Sequence, residues 1–438
     1  MRIRRIGFAA LSALGAMSGL PVAAAGSPQE EVLYRFAAGN DGAQPVAGLV
    51  ADAAGNLYGT TSAGGGTGCG GSGCGTVFEL SPQQGGGWSE TLLHSFAGGA
   101  DGEYPNVPLI ADAHGNLYGT TEEGGSDNCG AGSGCGTVYE LSPRKQGWKE
   151  TILYAFTTKA HDSRDEVRPP QISKPDVWSP NGIAFLSNGD IYGLASLGGR
   201  CDQNGHLVAC YGGGFELKNA GAAAGEKVIY RVRNTLEAGP EGPPVFDASG
   251  NLYGVTTAAN YGSVFALRPP ADKGDWKERT LYTFQGGSDG GYPAPGLVFD
   301  ASGNLYGATE GYRTLAGNVF ELTPTKKGDW SETPLYTFSN TADGETPAAA
   351  PYFDADGNLY GLTEAGGQSN LGVAYELSPA NGSWAETVLY SFAGGADAAT
   401  PEGTILISNG NFYGATYAGG NGGCYDGSGC GTVFEIVP

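Results

Sequence analysis

The sequence predicts an all-β fold, a seven-bladed β-propeller closed by pairing the N-terminal strand with the last blade. Three observations predict it. One phrase, Gly55-Asn56-Leu57-Tyr58-Gly59, recurs through the chain with its tyrosine at Tyr58, Tyr118, Tyr192, Tyr253, Tyr306, Tyr360 and Tyr413. The spacings are 60, 74, 61, 53, 54 and 53 residues, a period that marks a repeat architecture. Each unit carries four short runs rich in β-branched and aromatic residues, bounded by Gly, Pro, Asp or Asn. The third observation is a count. Runs A, B and C occur seven times after residue 45, but run D follows only the first six units. The missing D pattern stands at the start, Glu31-Val32-Leu33-Tyr34-Arg35-Phe36, and matches Glu90–Phe96 and Glu386–Phe392. Glu31–Phe36 should therefore pair with Gly431–Ile436, which removes the sheet edges that an open array would expose.

Residues 1–25 read as a signal peptide. Arg2, Arg4 and Arg5 form a basic start, and an apolar run follows from Ile6 to about Leu20. Pro21 and the small residues Val22-Ala23-Ala24-Ala25 then resemble a cleavage site after Ala25. No Cys precedes Cys69, which excludes a lipoprotein anchor there. No later stretch reaches the ~18 consecutive apolar residues of a membrane span. The mature chain is thus expected to be exported, periplasmic or extracellular, without a membrane span, and monomeric.

Residues 30–438 form the propeller, with a long loop insertion at 157–180. In the second unit the runs are Val107–Ala111, Asn116–Thr121, Gly136–Leu141 and Trp148–Phe156, none of them periodic enough for a helix. Five of the A–B turns read Asp-Ala-x-Gly-Asn, at 52–56, 112–116, 247–251, 300–304 and 354–358. There Asp accepts backbone N–H groups and Gly supplies the positive φ of a tight hairpin. Run C, as in Gly75-Thr76-Val77-Phe78-Glu79-Leu80, is apolar on both faces apart from one Glu, as suits a sheet covered on both sides. Gly48 and Gly296 in run A fit the narrow end of a wedge at the axis.

The phrases Gly-Asn-Leu-Tyr-Gly-Thr-Thr, Gly-Thr-Val-Phe-Glu-Leu and Leu-Tyr-Ser-Phe-Ala-Gly-Gly resemble the bacterial choice-of-anchor tandem repeat known as GloVer, over essentially residues 30–438. The resemblance implies a repeat architecture and assigns no activity. Members often end in a sorting or anchoring segment, whereas this chain ends at run C.

Eight Cys fall into four close pairs, Cys69/Cys74, Cys129/Cys135, Cys201/Cys210 and Cys424/Cys430, each in a B–C loop. An even, locally paired set in an exported chain reads as disulfides. They belong to blades 1, 2, 3 and 7, neighbours in a closed ring. B–C and D–A loops share one face of a propeller, so that face should carry a braced arc. The D–A loops also carry Asp41, Asp101, Asp289, Asp343 and Asp397, read as turn chemistry rather than a Ca²⁺ or sugar-binding ring.

Acidic residues outnumber basic ones 45 to 23, a net charge of −22, which argues against nucleic acid and anionic membranes as partners. The hydrophobic content of 40% is ample for a folded chain. Of four His, His94 replaces the Tyr of other D runs and reads as a packing substitution, and His114 fills the free position of a turn. Gly286-Gly287-Ser288-Asp289-Gly290 matches a nucleophile elbow in letters only, without a strand-to-helix setting. Gly66, Gly68 and Gly71 match a dinucleotide fingerprint with no helix following. Trp88, Trp148, Trp276, Trp330 and Trp384 open run D and read as packing residues.

With no catalytic set, metal motif or cofactor motif, the leading expectation is a binding or scaffold module that holds a protein or glycan on its loop face. The ligand-binding candidates are His161, Arg164, Arg168, Arg200, Asp202 and His206, gathered on the long D–A loop and a Cys-bearing B–C loop. The alternative is a propeller enzyme, a hydrolase or lyase acting on glycans or small esters. It would use His161 or His206 as acid/base and the arginines to stabilise an anion.

Overall fold

In the computed structural model, residues 28–438 are described apart from 126–128, 130–133, 158–176, 186–188, 199–210, 219–224, 233–238, 258–259, 273, 312–315, 340, 422 and 425–426. They form seven four-stranded antiparallel sheets, the blades of a propeller. Blade 1 takes Val50–Ala51, Leu57–Thr61, Thr76–Pro82 and Trp88–Ser95 as strands A to D, from the axis outward. Blade 7 takes Ala398–Ser408, Asn411–Gly419 and Thr432–Val437, and its strand D is the N-terminal Gln29–Arg35. The seam runs from Gln29 opposite Val437 to Arg35 opposite Thr432, and the Phe36 N–H donates to the Gly431 carbonyl at 3.1 Å. The ring closes as the repeat count requires.

The five residues of strand B around its central glycine are buried, as in Leu57–Thr61, so the blade needs a neighbour on both faces. Its central glycine lies opposite an aromatic of strand C. Gly59 faces Phe78, Gly119 faces Tyr139 and Gly414 faces Phe434, and the other four blades repeat the pairing. A Cβ at Gly59 would lie 2.6 Å from Phe78 Cζ, so only Gly lets the ring lie across the strand. That aromatic then meets the phenylalanine that ends strand D of the preceding blade. Phe36 packs edge-on to Phe78 at 5.1 Å and Phe96 to Tyr139 at 5.2 Å. The same contact recurs between blades 2 and 3, 4 and 5, 5 and 6, and 6 and 7. Between blades 3 and 4 the position is Val232.

Strand A departs from the expected run. In blade 2 only Ile110–Ala111 pairs, not the whole of Val107–Ala111, and blades 1, 5 and 6 likewise pair two residues. Pro108, Pro295 and Pro351 lack the N–H a ladder needs, so these segments lean away from their sheets toward the axis. In blades 3, 4 and 7 strand A is longer, but its register shifts after Pro180, Glu241 and Glu402. Close approach at the axis is real at Gly48, where a Cβ would lie 2.3 Å from Thr404 Oγ1 of blade 7.

The A–B turns follow the expected chemistry. Asp52 Oδ1 accepts the Ala54 and Asn56 N–H groups, while Oδ2 accepts Asn56 Nδ2 and the Tyr58 hydroxyl. Asp112, Asp247, Asp300 and Asp354 repeat the set.

Phe36 is 1% exposed and links the closing strand to blade 1. Phe36→Ala should lower stability by about 3–5 kcal/mol, the cost of a large cavity in a packed interface, read as a fall in the urea midpoint. A loss below about 1 kcal/mol would show that the seam contributes little.

Candidate functional site

A proline marks where each blade's chain reaches the axis, before strand A or within it: Pro45, Pro105, Pro180, Pro240, Pro293, Pro347 and Pro401. The residue before the proline accepts a hydrogen bond from the residue three past the strand-B glycine. Glu122 N–H donates to Tyr104, Glu310 N–H to Tyr292 and Glu364 N–H to Thr346, at 3.1, 2.8 and 2.8 Å. Ser62 and Thr257 make the same bond, to Gln44 and Gly239. This bond fixes one side chain per blade at the mouth of the axis, on the face shared by the B–C and D–A loops. The residue after the proline adds a second tier, which includes Asn106, Asn181, Glu241 and Glu402.

These two tiers line a cavity of about 760 Å³ to which every blade contributes. Its carboxylates are Glu122, Glu241, Glu310, Glu364 and Glu402, and among the described residues its lining holds no Lys, Arg or His. The wall between them is apolar or aromatic, with Leu49, Leu297, Ile405, Tyr104 and Tyr352. Asn106 Nδ2 donates to Glu122 at 2.9 Å and Thr257 Oγ1 to Glu241 at 2.8 Å.

All five carboxyls are pushed above the usual range. Burial raises Glu310, the charges of Glu364 and Glu241 add to it, and it reaches about 8. Burial likewise lifts Glu402 to about 8, helped by Glu364 and Glu310. Burial raises Glu122, Glu241 and Glu364 as well, with the Thr257 bond opposing it at Glu241. The cavity therefore holds protons near neutrality where a cation could replace them.

A second acidic series lies outside the axis, between blades. The D–A loop aspartate accepts the hydroxyl of a strand-D tyrosine, as in Tyr34 to Asp41, Tyr282 to Asp289, Tyr336 to Asp343 and Tyr390 to Asp397. A half-buried glutamate of the next strand D stands beside each pair: Glu90, Glu332, Glu386 and Glu30. Between blades 1 and 2 the set is His94, Asp101 and Glu150.

The sequence candidates His161, Arg164, Arg168, Arg200, Asp202 and His206 lie outside the described residues, as do Cys201 and Cys210. Cys69–Cys74, Cys129–Cys135 and Cys424–Cys430 are disulfides. Ser288 sits in a D–A turn, where the Gly287 N–H donates to Asp289, and Cys69–Gly71 is a single 3-10 turn, so neither apparent motif has its chemical setting. Trp88, Trp148, Trp276 and Trp330 pack on Tyr413, Tyr58, Tyr192 and Tyr253 of the preceding blade. Reading the sequence residue by residue missed the axial glutamates. Aligning the units on the strand-B glycine and reading three positions on would have found Glu122, Glu310 and Glu364.

Fold and site together define a seven-bladed propeller with an acid-lined axial cavity. The family model described as the Gloeobacter/Verrucomicrobia repeat matches residues 21–171 and 317–438, and the chain belongs to that family. No curated protein matches it. Among solved structures it is similar to a luciferin-regenerating enzyme, at 16% identity over 75% of this chain and 90% of that one, with a TM-score of 0.43. It is also similar to a protein from Lactobacillus plantarum, at 13% identity over 80% and 85%, TM-score 0.48. A third is the PQQ-bound aldose sugar dehydrogenase of Streptomyces coelicolor, at 11% identity over 93% and 98%, TM-score 0.41. At these identities no activity passes from them to this chain.

The two acidic series give stability a pH optimum. Glu90, Glu150, Glu332 and Glu386 are raised to about 7 and Glu30, Glu310 and Glu402 to about 8, mainly by burial. Their contribution is full below the unfolded value near 4.5 and is lost as pH rises through 7–8. Burial works against the charge on Asp52, Asp112, Asp247 and Asp354, but N–H and O–H donors outweigh it and hold these groups below 3.8. Their contribution is lost as pH falls below that. Tm should peak near pH 4–5 and decline toward pH 9 in scanning calorimetry, and a Tm rising from pH 5 to 9 would contradict the assignment.

Proposed function

We propose that the protein is an exported, non-enzymatic binding module whose axial cavity takes a ligand bearing a positively charged amine. One observation carries the reading: five glutamates from five blades surround one cavity whose described lining has no cationic side chain. The volume falls within the range of small-molecule sites. Tyr104 and Tyr352 are aromatic lining residues suited to an alkylammonium group, and Leu49, Leu297 and Ile405 suit its carbon chain. A bare metal ion fits less well. No three of these carboxylates bring ligand atoms within 4.8 Å of one another among the described residues, whereas an extended amine can bridge them. Export rests on the basic, apolar and small-residue order of residues 1–25, and the three disulfides accord with an oxidising compartment.

Because Glu310 and Glu402 hold protons up to about pH 8, cation binding must displace them. Titration calorimetry with spermidine and cadaverine should show binding that tightens from pH 6 to pH 9 and releases protons to buffer. The double variant E310Q/E402Q should weaken it at least tenfold. Binding that ignores both pH and these substitutions would remove the axial site from the reading. Tight Ca²⁺ binding that displaces spermidine would make the occupant a metal, and turnover of an amine-bearing sugar or ester would make the cavity an active site.

A further inference from the structure

From the geometry between blades 1 and 2, we infer that His94, Asp101 and Glu150 form a zinc-type divalent metal site that staples the two blades together at the rim. His94 lies on strand D of blade 1, Asp101 in the following turn, and Glu150 on strand D of blade 2, Trp148–Ala155. One ligand atom from each lies within 4.8 Å of the others. Tetrahedral zinc with bonds of about 2.1 Å needs ligand atoms about 3.4 Å apart. Side-chain rotations of about an ångström would therefore complete the set, with water as the fourth ligand.

Three observations favour a metal over a simple ion pair. His94 Nε2 is buried and stands 3.3 Å from Asp101 Oδ1, with no other polar partner among the described residues. Glu150 Oε1 is buried and unpartnered, as are the equivalent Oε1 atoms of Glu30, Glu90, Glu332 and Glu386 at the tyrosine junctions, but only here, among the described junctions, does an imidazole nitrogen stand beside it. Asp101 is already oriented, because its Oδ2 accepts the Ala97 N–H at 2.7 Å and leaves Oδ1 toward the histidine. The His94 ring is held by edge-on contact with Phe96 at 4.7 Å. A nitrogen with two carboxylate oxygens is a donor set suited to zinc rather than calcium.

The chain supplies its own controls. At four other blade junctions the same position is tyrosine, Tyr34, Tyr282, Tyr336 or Tyr390, and its hydroxyl donates to the aspartate. A phenol fills that role without offering a metal an imidazole nitrogen. The junction with His94 thus keeps the Asp and Glu of its repeats but exchanges the hydrogen-bond donor for a ligand.

The test uses the mature chain stripped with EDTA and titrated with zinc. One equivalent should bind with micromolar affinity and raise Tm by a few degrees. His94→Tyr places the residue of the other junctions and should fold, lose the site and lose the zinc-dependent rise in Tm. Glu150→Gln keeps the shape and should weaken zinc at least tenfold, which covers the case in which H94Y does not fold. Tyr390→His should build a second site with Asp397 and Glu30 and move the stoichiometry toward two. His114→Ala should change nothing. Zinc affinity and Tm rise unaltered in H94Y and E150Q, or no zinc binding by the parent, would leave His94 as an ion-pair partner of Asp101 and overturn the site.

Discussion

The ring depends on a hole and what fills it. Each strand B carries a glycine at its centre, and the aromatic of strand C lies across it. The ring that fills the hole is then presented to the preceding blade, whose last strand-D residue meets it edge-on. One missing side chain therefore sets the sheet-to-sheet spacing, because any Cβ would lift the aromatic outward into the next blade. The same strand-D residue is held by its backbone. Phe36, Phe96, Phe156, Val232, Phe284, Phe338 and Phe392 all donate N–H to the carbonyl of the glycine before strand C or its equivalent. Interior packing at crystal-like density leaves little room for error, so six copies of one aromatic contact, with Val232 at the seventh junction, set nearly the same spacing between neighbouring blades. Equal wedges are the condition for a ring to close.

The acidity that sets the charge of this chain is handled in two ways. Turn aspartates are saturated with N–H and O–H donors and stay ionised. Glutamates at the axis and between blades have at most one or two such donors, as Glu122 and Glu241 do, and burial beside other acids raises Glu310, Glu402 and Glu90 toward or above neutrality. A proton is then the resident counter-ion at both places. Any cation that reaches them competes with that proton and relieves the like-charge repulsion around it. The amine proposed for the axis and the metal inferred at the rim would be two expressions of that one electrostatic condition, separated by what else is present. Aromatic and apolar walls surround the first, and an imidazole completes the second.

The ring was legible in the sequence because its information is periodic. The tyrosine phrase, the D pattern displaced to Glu31–Phe36 and the Asp-x-x-Gly-Asn turns each report a local structure that repeats with the blade, and the structure keeps all three. Strand A was less legible. Its ladder shortens where prolines and glycines turn the chain toward the axis, and the run from Val107 to Ala111 reads as a strand whether or not it pairs. The axial carboxylates were not legible at all as a site. Glu310 and Glu402 are 92 residues apart and belong to different tiers, so nothing local joins them. Only closure superimposes them. His94 shows a different limit of reading by repeat, for its edge contact with Phe96 accords with a packing role. Its neighbours in the repeat alignment identify it as a packing substitution, and they are silent about Glu150, which reaches it from the next blade.

The disulfides complete the argument about closure. Each pins a short B–C loop in which the second cysteine precedes the glycine of strand C. The carbonyl of that cysteine accepts the N–H of the residue that opens the next blade. Cys74 receives Tyr104, Cys135 receives Ser179 and Cys430 receives Gln44, at 3.0, 3.0 and 2.8 Å. In the junctions without cysteine the same bond runs from Tyr292 to Tyr261 and from Thr400 to Leu371. A cross-link over so short a loop removes modest unfolded-state entropy, about 2 kcal/mol on the chain model. Its position matters more than its size. The Cys424–Cys430 bridge stiffens the carbonyl that ties blade 7 to blade 1, beside the seam inside blade 7 where Thr432–Val437 and Gln29–Arg35 are joined by hydrogen bonds alone. The residue so tied, Gln44, also takes the Ser62 N–H and donates its side chain to the Tyr417 hydroxyl at 2.6 Å. Bracing the seam thus also fixes the mouth of the axial cavity.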